Sequence, residues 1–392
     1  MSMIKDQTIA TERRTLEKTL EPLGKGAWMD GEYALATCPF CTEKYTMRFL
    51  GGTGIWRCIS CEEHGETFKE LENRLRIRFV TDAKILGPDN PVGAIVVSEY
   101  VKPTTFVSVD TGLLKLDQML GGLQEGTLSI LTGKQGEGKS TFSGQLALNA
   151  IDQGKGVCFY SGELSAPAFI EWIHSQAAGL DYSEMYIDKY GKERHEASKA
   201  VVPVINEWIG KKLILYDNTI VGASEAVSIL KLFHDVRNMF GCQLYIVDNL
   251  MTVSQARGRG IDYSTMQSMF VGELIAFAQQ ARAHVILVAH PRKGEEGDYN
   301  ERVSGLLEIT NRSSNVMYIE RMTKEEYQKM QRSGELESPT TTNLLHVSKN
   351  RRYGETGTIE LTFDKYSRRF TPSLDPRYVR YGWERLLKGE WK

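Results

Sequence analysis

Gly133-Lys134-Gln135-Gly136-Glu137-Gly138-Lys139-Ser140-Thr141 is the stretch whose reading decides the fold of this chain. It fits G-x-x-x-x-G-K-[ST], a phosphate-binding loop, and it follows the apolar strand-like run Thr127-Leu128-Ser129-Ile130-Leu131-Thr132. A polyphosphate carries dense charge, so a loop that holds it must turn several backbone N–H groups inward. Gly133, Gly136 and Gly138 permit that turn without Cβ clashes. Lys139 then reaches the β- and γ-phosphates, the Ser140 hydroxyl ligates Mg²⁺, and a helix from about Thr141 to Ile151 offers its positive N-terminal end. A glycine-rich turn that binds nothing would need neither the strand before it nor the G-K-S-T ending. ATP or another nucleoside triphosphate, with Mg²⁺, is the expected ligand.

At 392 residues, 41% of them hydrophobic, the chain has room for two or three domains and one large core. Its net charge of −2 produces no global field, so any polyanion site has to be a local basic patch. The N-terminal Met1-Ser2-Met3-Ile4-Lys5-Asp6 lacks an apolar signal core, and no run of about 18 apolar residues occurs, which predicts a cytoplasmic protein without membrane contact. Six cysteines are present, and Cys38, Cys41, Cys58 and Cys61 form two C-x-x-C pairs. In a reducing cytosol that spacing means metal rather than disulfide. Four thiolates suit tetrahedral Zn²⁺ and leave no position open for a catalytic water, so the zinc is read as structural. Such a ribbon has almost no core, and the metal supplies much of its folding free energy. Tyr45, Arg48, Trp56 and Arg57 suit contact with DNA and suit a solvated face equally. Cys158 and Cys242 sit in apolar runs and read as core residues.

The chain divides into an N-terminal arm (1–25), the zinc ribbon (26–65), a helix and linker (66–105), a nucleotide-binding domain (106–372) and a C-terminal tail (373–392). The helix is expected from Glu62 to about Arg78. Within the large domain, strand-like runs at 128–132, 157–161, 213–217, 243–248, 285–289 and 315–320 alternate with helix-length segments, which marks an α/β fold with a mainly parallel twisted sheet. Two more β-like runs, 344–348 and 358–363, close it. The aromatic tail, with Tyr381 and Trp383, is expected to dock on a neighbour or lie loose.

Chemistry needs more than the loop. Asp248 ends the apolar run Leu244-Tyr245-Ile246-Val247 and supplies the second Mg²⁺ ligand. Glu163 lies just past the strand after the loop helix, where its carboxylate can take a proton from attacking water; an acid favourable to a helix N-terminus is the alternative. His290 follows the run 285–289 and falls at the C-terminal edge of the sheet, where ligands bind in open α/β folds. Lys349-Asn350-Arg351-Arg352 ends another strand far along the chain, as a basic turn or as a source of cations for a transferring phosphoryl group.

Taken in order, these residues resemble the replicative hexameric helicases with a RecA-type motor, the DnaB-like and especially the twinkle-like proteins, over roughly residues 105–370. The resemblance is carried by Thr111-Gly112 through Gly122, the phosphate loop, Ser161-Gly162-Glu163-Leu164-Ser165, Val247-Asp248-Asn249-Leu250, Val288-Ala289-His290-Pro291-Arg292-Lys293 and Lys349-x-Arg351. It implies Glu163 and His290 as catalytic residues, Lys349 and Arg351 as a finger reaching a neighbouring subunit's nucleotide, and a homo-oligomeric ring, hexameric in the family. It also implies single-stranded and forked DNA as partners, with Arg257, Arg259, Arg292 and Lys293 on channel-facing loops, 5′–3′ polarity, and a primase or loader as a further partner in a bacterial or phage-infected cell. The cysteine module resembles the zinc ribbon of bacterial primases, but the gap from Cys61 to Val107 is shorter than the ~100 residues of a primer-synthesis domain. Primase activity is therefore not expected. A RadA-like recombination ATPase shares the four-cysteine module, the S-G-E segment and a K-N-R element that Lys349-Asn350-Arg351 partly echoes; it is expected to carry a C-terminal domain of about 150 residues, whereas about twenty follow Phe370 in this sequence. A DNA-dependent loading ATPase that does not unwind is the other alternative.

Overall fold

The computed structural model describes residues 28–30, 33–36, 38, 40, 41, 47–50, 55–65, 108–219, 225–253, 263–290, 307–374 and 380–388, in two compact units, Met1–Thr104 and Thr105–Lys392. The N-terminal arm and the segment 66–105 lie outside the described residues, as do Arg257, Arg259, Arg292 and Lys293.

In the first unit, β1 (Trp28–Asp30), β2 (Tyr33–Ala36), β3 (Met47–Leu50), β4 (Trp56–Cys58) and β5 (His64–Gly65) form an antiparallel sheet in sequence order. Trp56 and Cys58 point inward while Arg57 is exposed, the period-2 pattern of a strand with one covered face. The Trp56 ring stacks on Phe40 at 5.7 Å and leaves no room for a side chain at residue 65, where a Cβ would come within 2.6 Å of the indole. The helix expected from Glu62 therefore cannot begin there. Cys58 N donates to Glu63 O at 2.7 Å, and β5 pairs with β4, so the chain is still in the ribbon at Gly65.

The second unit opens with the short pair β6 (Ser108–Val109) and β7 (Leu123–Gln124) around α1 (Leu114–Leu120). Then follow β8 (Thr127–Thr132), α2 (Lys139–Asp152), β9 (Val157–Ser161), α3 (Ala166–Ala178), the hairpin β10 (Ser183–Ile187) and β11 (Glu193–Ala197), and α4 (Val202–Ile209). After these come β12 (Leu213–Leu215), α5 (Ala226–Phe240), β13 (Leu244–Asp248), α6 (Tyr263–Ala281) and β14 (His284–Ala289). The last described elements are α7 (Leu307–Arg312), β15 (Asn315–Arg321), α8 (Lys324–Ser333), β16 (Asn343–Asn350), β17 (Gly357–Asp364), β18 (Arg369–Pro372) and α9 (Trp383–Leu387).

Among the described residues nine strands make one sheet, in the order β12-β9-β13-β14-β8-β15-β16-β17-β18. The first six are parallel and the last three add antiparallel. Both faces are covered, which is why the central strands read as continuous apolar runs. In β13, Leu244 and Ile246 pack with Phe142 and Leu146 of α2, whereas Tyr245 and Val247 pack with Phe233 of α5 and Phe277 of α6. β12 stops at Leu215, short of the expected Asp217, because the Asp217 carboxylate turns back to accept from Thr219 N at 3.0 Å and Thr219 Oγ1 at 2.6 Å, an Asx turn that leaves the ladder. The hairpin β10–β11 has no counterpart among the expected strands: Met185, Tyr186 and Ile187 are consecutive and all exposed, so no alternation marks it.

The described part of the C-terminal segment, 380–388, packs on its own domain. Trp383 is fully buried, and its Nε1 donates to Ala177 O at 3.0 Å. Tyr381 Oη donates to Asn149 Oδ1 at 2.9 Å, and the Arg369 guanidinium lies 4.9 Å from the Tyr381 ring. Two large aromatic rings gain more by entering the seam between α2, α3 and α4 than by exposure to water. Replacing Trp383 by Ala is expected to cost about 3–5 kcal/mol in urea unfolding, against well under ~1 kcal/mol for Leu387→Ala at an exposed position. Equal midpoint shifts for the two variants would contradict this packing.

Candidate nucleotide site

The order of the sheet builds the site. β9, β13, β14 and β8 are adjacent and parallel, so Glu163, Asp248, His290 and the phosphate loop, each at or just after the end of its own strand, meet at one edge. Backbone pairing tightens the arrangement: Asp248 stands opposite Ser161, and Gly162 N donates to Asp248 O at 2.6 Å.

Glycine is required in the loop for two separate reasons. Gly133 and Gly138 have φ of 151° and 94°, in the region that L side chains rarely adopt. A Cβ would also fall 2.2 Å from Ile319 O at the first and 2.8 Å from the Phe370 ring at the second. Phe370 is itself fixed by a two-way pairing with α2, in which Gln145 Nε2 donates to Phe370 O and Phe370 N to Gln145 Oε1, both at 2.7 Å. Lys139 is buried and folds its amine across the loop, donating to Gly133 O at 2.7 Å and Lys134 O at 2.6 Å. Burial holds its pKa below the ordinary lysine value, against the opposing pull of Glu137, Asp248 and Glu163. Glu137 closes the loop from within, accepting from Lys134 N at 2.6 Å.

Asp248 is 3% exposed and hydrogen-bonded by Ser140, and burial pushes its pKa up to about 6. A hydroxyl and a carboxylate side by side are hard oxygen donors, and the cost of the buried charge is one that a bound cation would offset; the pair fits Mg²⁺. Asn249, fully buried, joins the two remaining groups: its Nδ2 donates to Glu163 Oε1 and to His290 Nε2, the latter at 3.0 Å. His290 Nε2 lies 3.6 Å from Glu163 Oε1, and burial followed by the nearby Lys139 lowers the imidazole pKa. Sequence reasoning assigned no role to Asn249, Glu137 or Phe370. Only the position of Asn249 directly after Asp248 could have pointed to it.

Lys349 and Arg351 are not part of this cluster. Lys349 Nζ donates to Thr310 O at 2.6 Å and Asn311 O at 3.1 Å, and Arg351 Nη2 to Asn311 O at 2.7 Å, on the last turn of α7. Arg351 N bonds Ser314 O at 2.9 Å and Ser314 N bonds Leu128 O at 2.8 Å, which puts Arg351 level with the start of β8. The phosphate loop begins at the other end of that strand, about 16 Å away at ~3.3 Å per residue. These two cations face the opposite edge of the sheet from their own chain's loop.

In the first unit the sulfurs of Cys38, Cys41, Cys58 and Cys61 all lie within 4.8 Å of one another, with Cys38–Cys61 and Cys41–Cys58 both at 3.7 Å. Sulfurs at the corners of a tetrahedron with ~2.3 Å metal bonds would be ~3.8 Å apart, so the donor set fits Zn²⁺. Phe40 N and Ser60 N donate to Cys38 Sγ and Cys58 Sγ at 3.4 and 3.3 Å, the backbone support that thiolates need.

A phosphate loop between a strand and a helix, with a buried carboxylate at the end of a parallel strand one place removed in the sheet, defines a P-loop nucleotide-binding domain of RecA type. Residues 108–372 match the DnaB-like helicase C terminal domain, and the chain belongs to that family. It is 28% identical over 112 residues to the replicative DNA helicase DnaB of Rickettsia felis, a stretch covering 26% of this chain and 23% of that protein. The chain thus spans less than a quarter of that relative. Two solved structures share the fold. One is an ATPase domain, with a TM-score of 0.52 and 17% identity over 78% of this chain and 97% of that one. The other is a DnaB-like replicative helicase described with its interactions with primase, with a TM-score of 0.54 and 17% identity over 77% of this chain and 73% of that one. Among the described residues no helix is long and apolar enough to cross a membrane.

The buried Asp248 carboxylate has a measurable consequence. Its pKa is raised from 3.8 to about 6 in the folded chain, so in metal-free protein its ionisation costs nothing below about pH 4 and the cost is complete above about pH 6. Asp248→Asn is therefore expected to stabilise metal-free protein at pH 8 by up to the order of 3 kcal/mol and to add little near pH 4. Unfolding midpoints at the two pH values check the sign.

Proposed function

We propose that this chain is an ATP-dependent DNA helicase of the replicative type, acting as a ring and translocating 5′–3′ on single-stranded DNA. The observation that carries the ring is the separation of Lys349 and Arg351 from their own phosphate loop: a pair of cations at the far edge of the sheet can serve a nucleotide only if another subunit presents it. Lys139 and the loop amides bind the β- and γ-phosphates. Ser140 and Asp248 would hold Mg²⁺, which when bound neutralises charge on those phosphates. Glu163 accepts the proton of the attacking water, and His290 contacts the γ-phosphate oxygens. Arg257, Arg259, Arg292 and Lys293 bind the strand through its phosphates. Single-stranded and forked DNA, other copies of the chain and a primase or loader are the partners of this reading. The four cysteines hold one structural Zn²⁺ in a ribbon at 26–65, linked through 66–105 to the motor at 106–372.

Purified zinc-loaded protein is expected to open a forked duplex with ATP, whereas Lys139→Ala and Arg351→Ala, each alone, lose at least ~100-fold in hydrolysis. Mixing the two variants restores activity if the arginine acts across a subunit boundary, since mixed rings hold sites with both groups intact. DNA-stimulated hydrolysis without strand separation would favour a RadA-like or loading ATPase, and no hydrolysis at all would remove the proposal.

Zinc and hydrolysis are separable. Cys58→Ser is expected to abolish the single bound zinc, read by metal analysis, while DNA-independent ATP hydrolysis stays within about twofold, because the motor unit has its own core.

A further inference from the structure

The Asn249 side chain sits at the centre of the site with every polar atom engaged. Its Oδ1 accepts from Met251 N at 2.9 Å, which fixes which end of the amide is oxygen. The NH₂ end then has two hydrogens to give, and two acceptors lie in reach, Glu163 Oε1 and His290 Nε2, the latter at 3.0 Å. The flipped amide would set Oδ1 against a carboxylate oxygen and aim NH₂ at the Met251 amide, losing both the carboxylate bond and the turn bond. The residue is fully buried, so water cannot substitute for a missing partner.

Resting on the ATPase reading above, we infer that Asn249 is a positioning residue which sets the tautomer of His290 and orients Glu163 through one amide group. An Nε2 that accepts from Asn249 carries no proton, so the neutral ring holds its proton on Nδ1, leaving Nδ1–H as the only ring donor for a phosphate oxygen. The same amide holds the Glu163 carboxylate 3.6 Å from the ring and pins it as an acceptor. Asn249 thereby couples the group that takes the water proton to the group that meets the γ-phosphate. Burial and the nearby Lys139 amine disfavour a charged imidazole, the Glu163 carboxylate favours it, and the balance lies below the ordinary histidine value.

A merely structural role makes a different prediction. Asn249 is also the N-cap of the short 3₁₀ turn Leu250–Thr252, and Asp caps as well as Asn does. Asn249→Asp preserves size and the bond from Met251 N but replaces the donating NH₂ by an acceptor. If capping were the whole role, the variant would match the parent. The inference expects its kcat for ATP to fall on the order of 100-fold, with nucleotide affinity within about threefold because the Lys139 amine and the loop amides are left as they were. The readout independent of turnover is the ¹⁵N solid-state spectrum of nucleotide-free protein labelled at its seven histidines, with His290 identified by its loss in His290→Gln. The parent is expected to show His290 protonated at Nδ1 alone, and Asn249→Asp to show a proton on Nε2. Parental protein with His290 protonated at Nε2, or Asn249→Asp turning over at the parental rate, would overturn the inference. If the parent hydrolyses no ATP, the ATPase reading fails, while the parental spectrum, which needs no variant, still decides the tautomer.

Discussion

Charge taken out of water at the end of four parallel strands is the constraint on which this structure depends. Lys139, Asp248 and Asn249 are buried, and Glu163 and His290 are held beside them, because β9, β13, β14 and β8 end at the same edge with apolar helices against both faces. Burial lowers the lysine pKa and raises that of the aspartate, so each charge is costly until a ligand pairs with it. The loop amides and carbonyls, the Ser140 hydroxyl and the Asn249 amide offset part of that cost. A nucleotide phosphate with its cation would offset the rest, which is how a destabilised site becomes a tight and selective one.

The sheet also separates functions in space. Its C-terminal edge carries the phosphate loop with Glu163, Asp248 and His290, while the end of β16 and the turn after it, level with the start of β8, carry the basic pair Lys349 and Arg351. That division follows from strand direction: β16 runs antiparallel to β15, so a residue at its end is delivered to the opposite edge. On the proposed reading, a single chain presents half of a site on each side. Rings of identical subunits arise naturally from such a head-to-tail arrangement when the rotation closes.

The smaller unit solves another problem. A five-stranded sheet of short strands, with Trp56, Met47, Cys38 and Cys58 as the buried apolar side chains of its described part, cannot supply much hydrophobic stabilisation. Sulfur spacing close to a metal tetrahedron makes the four cysteines the natural replacement for a core.

Local sequence by itself determined the phosphate loop, the parallel strands within one or two residues, Asp248 at the end of β13 and the four-cysteine set. In each case a short-range rule suffices: glycine for positive φ, an apolar run for a strand buried on both faces, paired C-x-x-C for a metal. The tertiary structure alone decided the rest. Asn249 acquires its role because β9 and β14 flank β13, a fact about strand order that spacing along the chain does not contain. Tyr381 and Trp383 read as an aromatic tail, and they became core because α2, α3 and α4 leave a seam that only large rings fill. The exposed hairpin β10–β11 had no apolar alternation to reveal it, and its strands are set by backbone pairing. Even the start of the helix expected at Glu62 was displaced by a longer-range effect, the pairing of β5 with β4 beneath the Trp56 ring. Propensity and periodicity act over a few residues, whereas these placements depend on which distant segments share a surface.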